Sequence, residues 1–175
     1  DGVRFASVSG DEIRMTKLGI PGMFSVYNAL SVIACARALG ISLDDCAAAL
    51  DTAKPVKGRA EPLETDGDYT ILIDYAVTPD AIDNILTTVR EFAPARLVFL
   101  FGCGVGLERL GAPLVRPDRR EAIAYAIENH CPGDVIILCG KGHEDYQIIG
   151  KTKVHMDERE IVAEILDKRK REKEK

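Results

Sequence analysis

The sequence predicts an α/β protein with a mostly parallel sheet and flanking helices, preceded by a small α+β part. After residue 58, apolar strand segments alternate with helical segments, the order that produces parallel α/β sheets. Two strand segments, Leu97–Phe101 and Val135–Cys139, are continuously apolar, which is typical of strands buried on both faces. Before residue 54, two short strand segments precede two helical segments, so this part is predicted to be separate from the main sheet.

The first 54 residues are predicted to form a hairpin followed by two helices. The predicted strands are Val3–Val8 and Ile13–Leu18, and the predicted helices run from Ser25 to about Gly40 and from Ser42 to about Leu50. Ser42 is a favourable helix cap, and Gly40 ends the preceding helical pattern. Lys54–Gly58 has the composition of a linker, so a domain boundary is predicted there. The predicted domains are residues 1–54 and 55–166, with a charged tail at 167–175.

The second part is predicted to alternate strands and helices. Its predicted strands are Tyr69–Asp74, Leu97–Phe101 and Val135–Cys139, with a hairpin of Tyr146–Ile149 and Lys153–Met156, and its helices begin near Thr78, Asp118 and Asp157. Thr78-Pro79-Asp80 combines a hydroxyl cap, a proline at the first helical position and a carboxylate at the positive helix end. Asp118 and Glu121 have the spacing of a capping box. The last helix is predicted to end near Leu166, and the charge run after it to be a solvated, fraying helix end.

Composition narrows the class of protein. The chain is 46% hydrophobic and 29% charged, which excludes disorder for most of its length. A net charge of −5 argues against nucleic acid as a partner, and no apolar run approaches the roughly 18 residues of a membrane span. The cysteines are odd in number and form no C-x-x-C pair, so buried free thiols and a cytoplasmic location are predicted. The cysteines are Cys35, Cys46, Cys103, Cys131 and Cys139. The three histidines are isolated from one another, and no metal site is predicted.

Two polar motifs follow predicted buried strands. Asp74 ends the first strand, at the carboxyl edge where open α/β sheets bind ligands. Its carboxylate can accept hydrogen bonds from a ribose diol, or it can bond only nearby backbone amides; the spacing favours neither. Gly140-Lys141-Gly142-His143-Glu144 follows the last buried strand. It is either an ordinary polar turn or a loop that holds a zwitterionic amino acid, whose ammonium group would meet Glu144.

Other glycine patterns are weaker. Gly102-Cys103-Gly104-Val105-Gly106 follows a strand but lacks the further glycine of a dinucleotide fingerprint. Gly150-Lys151-Thr152 resembles the end of a P-loop, yet it lies between two strands and the leading glycine position holds Asp145. A complete P-loop is therefore absent from the sequence.

Together these stretches resemble the Mur ligase family. The matching stretches, in family order, are Phe24–Leu30, Gly58–Glu61, Asp74–Asp80, Phe101–Gly104, Gly140–Glu144 with Tyr146-Gln147, and Asp157–Glu160. The resemblance implies that residues 1–54 are the end of a central ATPase domain and residues 55–166 a Rossmann-like carboxy-terminal domain. It also implies a ligase of peptidoglycan synthesis in which ATP, with Mg²⁺, converts the carboxylate of a UDP-muramoyl peptide to an acyl phosphate that a free amino acid attacks.

The resemblance assigns candidate binding residues position by position. The implied nucleotide-binding residues are Asn28, Arg59, Asp74 and Tyr75. The implied amino-acid-binding residues are Gly140, Lys141, His143 and Glu144. It assigns neither a catalytic residue nor a metal ligand. Taken singly, Asn28 and Arg59 are better explained as cap or surface contacts than as ligand contacts.

The chain departs from the family pattern at two places. Val77 stands where the family has a histidine, and after Gly104 the sequence passes directly to Val105–Val115, which resembles a later family segment. The missing segment would include a helix, a strand and the loop that reads the amino acid, and a parallel crossover needs about a dozen residues or more. We therefore expect no ligase turnover from this chain alone. A non-catalytic or engineered binding module is the alternative, and a shortened sheet could self-associate through an exposed edge. The chain also begins Asp1-Gly2 rather than with Met, as expected of an excised piece or of a chain whose numbering was reset.

Overall fold

A computed structural model describes residues 2–20, 22–92, 95–102 and 116–174. The elements are β1 (Val3–Ser9), β2 (Glu12–Leu18), α1 (Met23–Ala38), α2 (Leu43–Asp51), β3 (Glu61–Leu63), β4 (Tyr69–Asp74), α3 (Pro79–Phe92), β5 (Leu97–Phe101), α4 (Arg119–Glu128), β6 (Asp134–Cys139), β7 (Tyr146–Ile149), β8 (Thr152–His155) and α5 (Glu158–Lys173). The chain divides into two compact units, 1–56 with 83–92 and 57–82 with 93–175. The division of the sequence into residues 1–54, 55–166 and 167–175 stays a prediction.

The first unit contains the predicted hairpin and helices. β1 and β2 pair antiparallel from Val3 opposite Leu18 to Ser9 opposite Glu12. The side chain of Ser42 accepts a hydrogen bond from the Asp45 amide, 3.0 Å away, so the predicted cap of α2 is confirmed. A small apolar core lies beneath the hairpin. Its buried members are Ile33, Leu43 and Cys46, with Phe5, Ala36 and Leu50 packed against them.

A four-stranded sheet forms the centre of the second unit. Its strand order is β3-β4-β6-β5; β4 and β5 both pair parallel to β6, and β3 pairs antiparallel to β4. The predicted mostly parallel sheet with flanking helices is confirmed. β3 was not predicted, because it has three residues, one of them Pro62, and its extended conformation comes from pairing with β4 rather than from an apolar alternation of its own.

Helices α4 and α5 cover one face of this sheet. The buried members of the core are Tyr69, Ile71, Ile73, Ile123, Ala126, Ile127, Ile136, Leu138, Ile161 and Val162. All six residues of β6 are buried, which confirms the buried strand predicted at Val135–Cys139 and adds Asp134 to it. The prediction that Leu97–Phe101 is buried on both faces was wrong: every residue of β5 is only half-buried, because β5 stands at the end of the strand order with β6 as its neighbour.

Two further predictions need correction. α5 extends to Lys173 rather than ending near Leu166, because Arg169 and Lys173 both reach Asp66 and hold the added turns.

Of the cysteines, Cys46 and Cys139 are buried whereas Cys35 and Cys131 are exposed, and Cys103 lies outside the described residues. Cys35 lies on α1, which is apolar around most of its circumference but buries only one side. Apolar neighbours in the sequence therefore did not mean that Cys35 is buried. Among the described helices none is long and apolar enough to cross a membrane.

Candidate functional site

The two predicted motifs emerge side by side from the sheet. β4 ends at Asp74 and β6 ends at Cys139, and these residues are paired in register. The amide of Gly140 donates to the carbonyl of Asp74 over 3.1 Å, so the pairing continues into the loop. The carboxyl ends of two adjacent parallel strands therefore place both motifs at one edge of the sheet, the position where open α/β sheets bind ligands. We call Gly140–Glu144 the 140–144 loop.

Asp74 is buried and holds backbone in place. One carboxylate oxygen accepts from the Ala76 amide and the other from the Ala60 amide, each over 2.8 Å. These are hydrogen bonds to nearby backbone amides, which was the alternative to a ribose contact in the sequence prediction for Asp74. They fix the segment before β3 against the end of β4, while each carboxylate oxygen keeps a further lone pair. The role of Asp74 toward a ribose stays a prediction.

Tyr75 connects the two sets of predicted residues. The Arg59 guanidinium lies 5.2 Å from the centre of the Tyr75 ring, within the range of a cation–π contact. The His143 ring lies 5.0 Å from the Tyr75 ring, tilted by 47°. The Tyr75 hydroxyl donates to a Glu144 carboxylate oxygen at 3.4 Å. The structure thus brings Arg59 and Tyr75, predicted for nucleotide, next to His143 and Glu144, predicted for the amino acid.

The 140–144 loop is held by internal polar contacts. The Lys141 ammonium donates to the Tyr146 carbonyl and lies 3.4 Å from Glu144 Oε2. Both contacts of Glu144 are thus long for hydrogen bonds, so its carboxylate can still accept from a bound ammonium group. Gly140 has φ 106°, a conformation that favours glycine.

A cleft of about 820 Å³ opens beside the 140–144 loop. The charged side chains among its described lining residues are Arg96, Arg116, Arg119, Lys141 and Glu144. Half-buried side chains of β5 form part of its wall. Four of these five charged side chains are cationic, so the cleft favours a ligand that carries a carboxylate or phosphate group.

The 140–144 loop also contacts the segment Gly58–Glu61, which we call the 58–61 segment. A Cβ built on Gly58 would lie 2.3 Å from the Gly142 carbonyl carbon, and one on Gly142 would lie 2.6 Å from the Tyr75 Cβ. Both glycines have positive φ, 72° and 52°. The two backbones therefore touch at a point where neither residue can carry a side chain without displacement.

Other predicted positions lie elsewhere. Asn28 is an exposed residue of α1 in the first unit, whereas Arg59, Asp74 and Tyr75 belong to the second unit. Val77, which replaces the family histidine, is 57% exposed. Of the glycine turn after β5, residues 103–106 lie outside the described residues, as does the junction at 104–106.

Four charged residues of this site were not predicted as members of it. Arg159 donates from Nε to Glu61 Oε1 over 3.1 Å and from Nη2 to Glu61 Oε2 over 2.5 Å. The hydrogen bond from Arg159 lowers the pKa of Glu61, and burial only partly opposes it. Arg119 forms a hydrogen bond of 2.7 Å with the almost fully buried Glu158. Both pairs join residues far apart in sequence, so no local spacing indicates them. The only signal was that Glu61, Glu158 and Arg159 lie in stretches that match the family.

The Arg119–Glu158 pair anchors the start of the 140–144 loop. Arg119 Nη2 donates to the carbonyl of Cys139 over 2.8 Å, directly before Gly140. Within the part of the chain that the structure describes, Arg119 Nη1 and Glu158 Oε2 are the buried side-chain polar atoms without a hydrogen-bond partner. Burial also raises the pKa of the Cys139 thiol to about 12, so this cysteine is inert as a nucleophile.

The structure offers no ready metal centre in the ranges it describes. There, no three histidine, cysteine, aspartate or glutamate side chains lie close enough together to hold a metal ion. Proteins usually hold Mg²⁺ with one or two carboxylates together with substrate phosphates, so the described residues supply no complete Mg²⁺ site of their own.

Comparison with known proteins identifies relatives along almost the whole chain. Residues 58–116 match the family model described as Mur ligase, glutamate ligase domain. The UDP-N-acetylmuramoyl-L-alanyl-D-glutamate–2,6-diaminopimelate ligase of Caldanaerobacter subterraneus is 40% identical over 94% of this chain and 43% of its own length. The ligase of the same name from Clostridioides difficile is 33% identical over 96% of this chain and 44% of its own length.

Solved structures support the fold. A MurF ligase from Thermotoga maritima, determined in complex with ADP, matches 97% of this chain and 44% of that chain with a TM-score of 0.66 and 18% identity. The chain thus spans less than half the length of the relatives it matches. The alignment with the Caldanaerobacter protein has 208 positions and covers 94% of the 175 residues of this chain, which is about 165 residues. About 43 positions of the alignment therefore face gaps in this chain.

Proposed function

Since the chain belongs to the Mur ligase family, we propose that it is the carboxy-terminal part of an ATP-dependent ligase that adds an amino acid to a UDP-N-acetylmuramoyl-dipeptide. The observation that carries the proposal is the meeting of Arg59, Tyr75, His143 and Glu144 at the carboxyl ends of β4 and β6. Two curated relatives, 40% and 33% identical, are named as diaminopimelate-adding ligases. The proposed setting is peptidoglycan synthesis in the cytoplasm.

In this proposal the two sides of the site have different ligands. Arg59 and Tyr75 contact the nucleotide, with a cationic group for phosphate and an aromatic face for stacking. Asn28 and Asp74 are the further candidate nucleotide contacts. Residues of the 140–144 loop hold the incoming amino acid, whose ammonium group is met by Glu144 and whose carboxylate is met by Lys141. Gly140 allows the ligand to approach the backbone, and His143 lines the same side.

The proposed chemistry is amide formation through an acyl phosphate. The peptide carboxylate attacks the γ-phosphorus of ATP and ADP leaves. The amine of the amino acid then attacks the carbonyl carbon of the acyl phosphate, phosphate leaves with the electrons of the C–O bond, and the amine nitrogen loses a proton to solvent. We propose that this chain does not complete the reaction alone. The sequence contains no P-loop, and about 43 aligned positions of a relative have no counterpart here.

The same gap supports a second candidate function. A Rossmann-like domain without its amino-acid-reading segment would be a non-catalytic module, natural or engineered, that keeps the fold and loses the ligase site. The two candidates differ in what the chain binds. The ligase part retains affinity for ADP or ATP, for the amino acid, or for both, whereas the module binds neither.

The test is calorimetric titration of the whole chain with Mg²⁺–ADP and, separately, with meso-diaminopimelate and lysine. We expect binding of at least one ligand, and an affinity for the amino acid at least tenfold weaker in Glu144→Gln. Glu164→Gln, which changes a carboxylate that is 61% exposed on α5, is the matched control. Binding of neither ligand favours the module. Phosphate release with ATP, amino acid and UDP-muramoyl dipeptide overturns the proposed inactivity.

Self-association through an edge of the sheet remains a prediction. β5 ends the strand order of the sheet, is half-buried and carries no charged residue, which is unusual for an edge strand. A monomeric mass at micromolar concentration, measured by light scattering, would contradict it.

A further inference from the structure

We propose that Arg159 is a positioning residue that joins the 58–61 segment to the 140–144 loop and couples the ligands of these two parts. The coupling rests on the proposed function; the positioning does not. The family resemblance assigns no role to Arg159. Its side chain is 17% exposed, so it acts through the segments it holds and is not proposed to touch a ligand.

The guanidinium of Arg159 has a partner on each part. Toward the 58–61 segment it bonds both carboxylate oxygens of Glu61, over 3.1 and 2.5 Å. Toward the 140–144 loop, Nη2 donates to the Gly142 carbonyl over 2.9 Å. On its own helix, Nη1 donates to Asp157 Oδ1 over 3.0 Å. A planar group with five donors in fixed directions can satisfy these partners together, and a lysine ammonium cannot.

Glu61 passes this restraint to the backbone that carries Arg59. The amide of Gly58 donates to Glu61 Oε2 over 2.6 Å, which closes a turn around Arg59. Gly58 in turn packs directly on Gly142 and the His143 amide. A shift of the 140–144 loop toward a ligand therefore displaces Gly58, and with it the neighbouring Arg59, unless Arg159 moves as well.

Asp157 and Lys57 complete the charge arrangement. The Asp157 carboxylate accepts from the Arg159 amide over 2.9 Å, as a helix cap does, and Lys57 lies 3.9 Å from its other oxygen. The start of α5 is thereby fixed before Arg159 reaches out from it. The cluster joins the two parts of the site through direct contacts, so a displacement of one part by its ligand reaches the other part and can alter the affinity of the ligand there.

The first test measures position without any ligand. Amide hydrogen exchange is followed in the wild-type chain, Arg159→Met, Arg159→Lys and Arg171→Met, which is the same change at an exposed position of α5. In Arg159→Met we expect the Gly142–Glu144 and Gly58–Ala60 amides to exchange at least tenfold faster than in the wild-type chain, while the amides of β6 keep their protection. The acceleration should be smaller in Arg159→Lys and absent in Arg171→Met. Unchanged exchange in both segments, or equal acceleration throughout the second unit, overturns the proposal.

The second test measures coupling with the same variants. The affinity for meso-diaminopimelate is measured with and without saturating Mg²⁺–ADP. We expect ADP to change this affinity in the wild-type chain and in Arg171→Met, and to change it at least threefold less in Arg159→Met. An identical effect of ADP in Arg159→Met overturns the coupling. If the wild-type chain binds neither ligand, the proposed function fails and the coupling fails with it, whereas the exchange result still decides the positioning role.

Discussion

The backbones of Gly58 and Gly142 meet at a distance that leaves no room for a side chain. A Cβ on Gly58 would lie 2.3 Å from backbone atoms of both Gly142 and His143, and backbone atoms cannot move aside as the end of a flexible side chain does. Gly58 also has φ 72°, which costs other residues about 1–2 kcal/mol. Two separate physical demands therefore select glycine at this position.

We expect Gly58→Ala to lower the free energy of unfolding by about 2–4 kcal/mol, from backbone strain together with overpacking. Gly150→Ala is the matched control, since Gly150 has φ 62° and nothing lies within 4 Å of an added Cβ; it should cost only about 1–2 kcal/mol. Urea denaturation followed by circular dichroism measures both. Equal losses in the two variants would show that the close approach contributes nothing.

At the residue scale, the sequence indicated which side chains belong to the candidate site but not how they are connected. Residue type and position after buried strands were enough to single out Asp74 and the 140–144 loop. The hydrogen bonds of Asp74 to the Ala60 and Ala76 amides depend on the path of the chain, which spacing does not contain. Arg159 and Glu61 are 98 residues apart, and such an ion pair is defined only by the folded topology.

At the scale of elements, the last helix is longer than its apolar pattern indicates. The buried residues of α5 are Glu158, Ile161 and Val162, all in its first half. Beyond Leu166 the helix has no buried apolar residue, and charged contacts hold it instead. Arg169 lies 3.3 Å from Asp66 and donates to the Ile127 carbonyl over 2.7 Å. The predicted solvated tail is therefore attached to the body of the second unit.

We expect Arg169→Ala to lower the free energy of unfolding by about 1.5–3 kcal/mol, the range for hydrogen bonds that involve a charged group. Lys170→Ala, at the next position and exposed, should change it by less than about 0.5 kcal/mol. Thermal unfolding of the two variants side by side makes the comparison. If Arg169→Ala lowers the free energy of unfolding no more than Lys170→Ala does, the tail is solvated as the sequence predicted.

The elements with strong local signals were those the sequence predicted well. Tyr69–Asp74 and Leu97–Phe101 have the predicted bounds, because continuous apolar runs and flanking turn residues define them locally. The caps at Ser42 and Asp118 accept the expected amides, from Asp45 and Glu121. β3 has no comparable signal of its own, since three residues become a strand only when a neighbour supplies their hydrogen bonds.

At the scale of the molecule, the sequence predicted the class of fold, and the comparisons show that the chain spans less than half the length of the curated relatives it matches. The strand order β3-β4-β6-β5 places the apolar β5 at an end of the sheet. The curated relatives are more than twice as long as the region they share with this chain. An apolar strand at the end of the strand order and about 43 aligned positions that face gaps in this chain are the two observations that bear on the predicted missing segment, which stays a prediction.

The stability of the second unit should decrease in acid, because several of its carboxylates are paired. The Arg159 hydrogen bond lowers the pKa of Glu61. At Asp66, Asp134 and Asp157 burial raises the pKa, but hydrogen bonds and neighbouring cations outweigh it, so each pKa is lowered in the folded chain. A carboxylate with a lowered pKa stabilises the fold in full above its ordinary value, 4.5 for Glu61 and 3.8 for the aspartates. That stabilisation is lost as the pH falls through the lower folded value.

We therefore expect the free energy of unfolding to be nearly constant between about pH 7 and pH 5 and to fall steeply below about pH 4. Urea denaturation at a series of pH values measures the slope. Arg159→Met should flatten it, since both Glu61 and Asp157 lose their shared partner and their pKa values return toward the unfolded ones; Arg171→Met should not. A stability that rises as the pH falls, or an unchanged slope in Arg159→Met, would show that these pairs contribute no net free energy to folding.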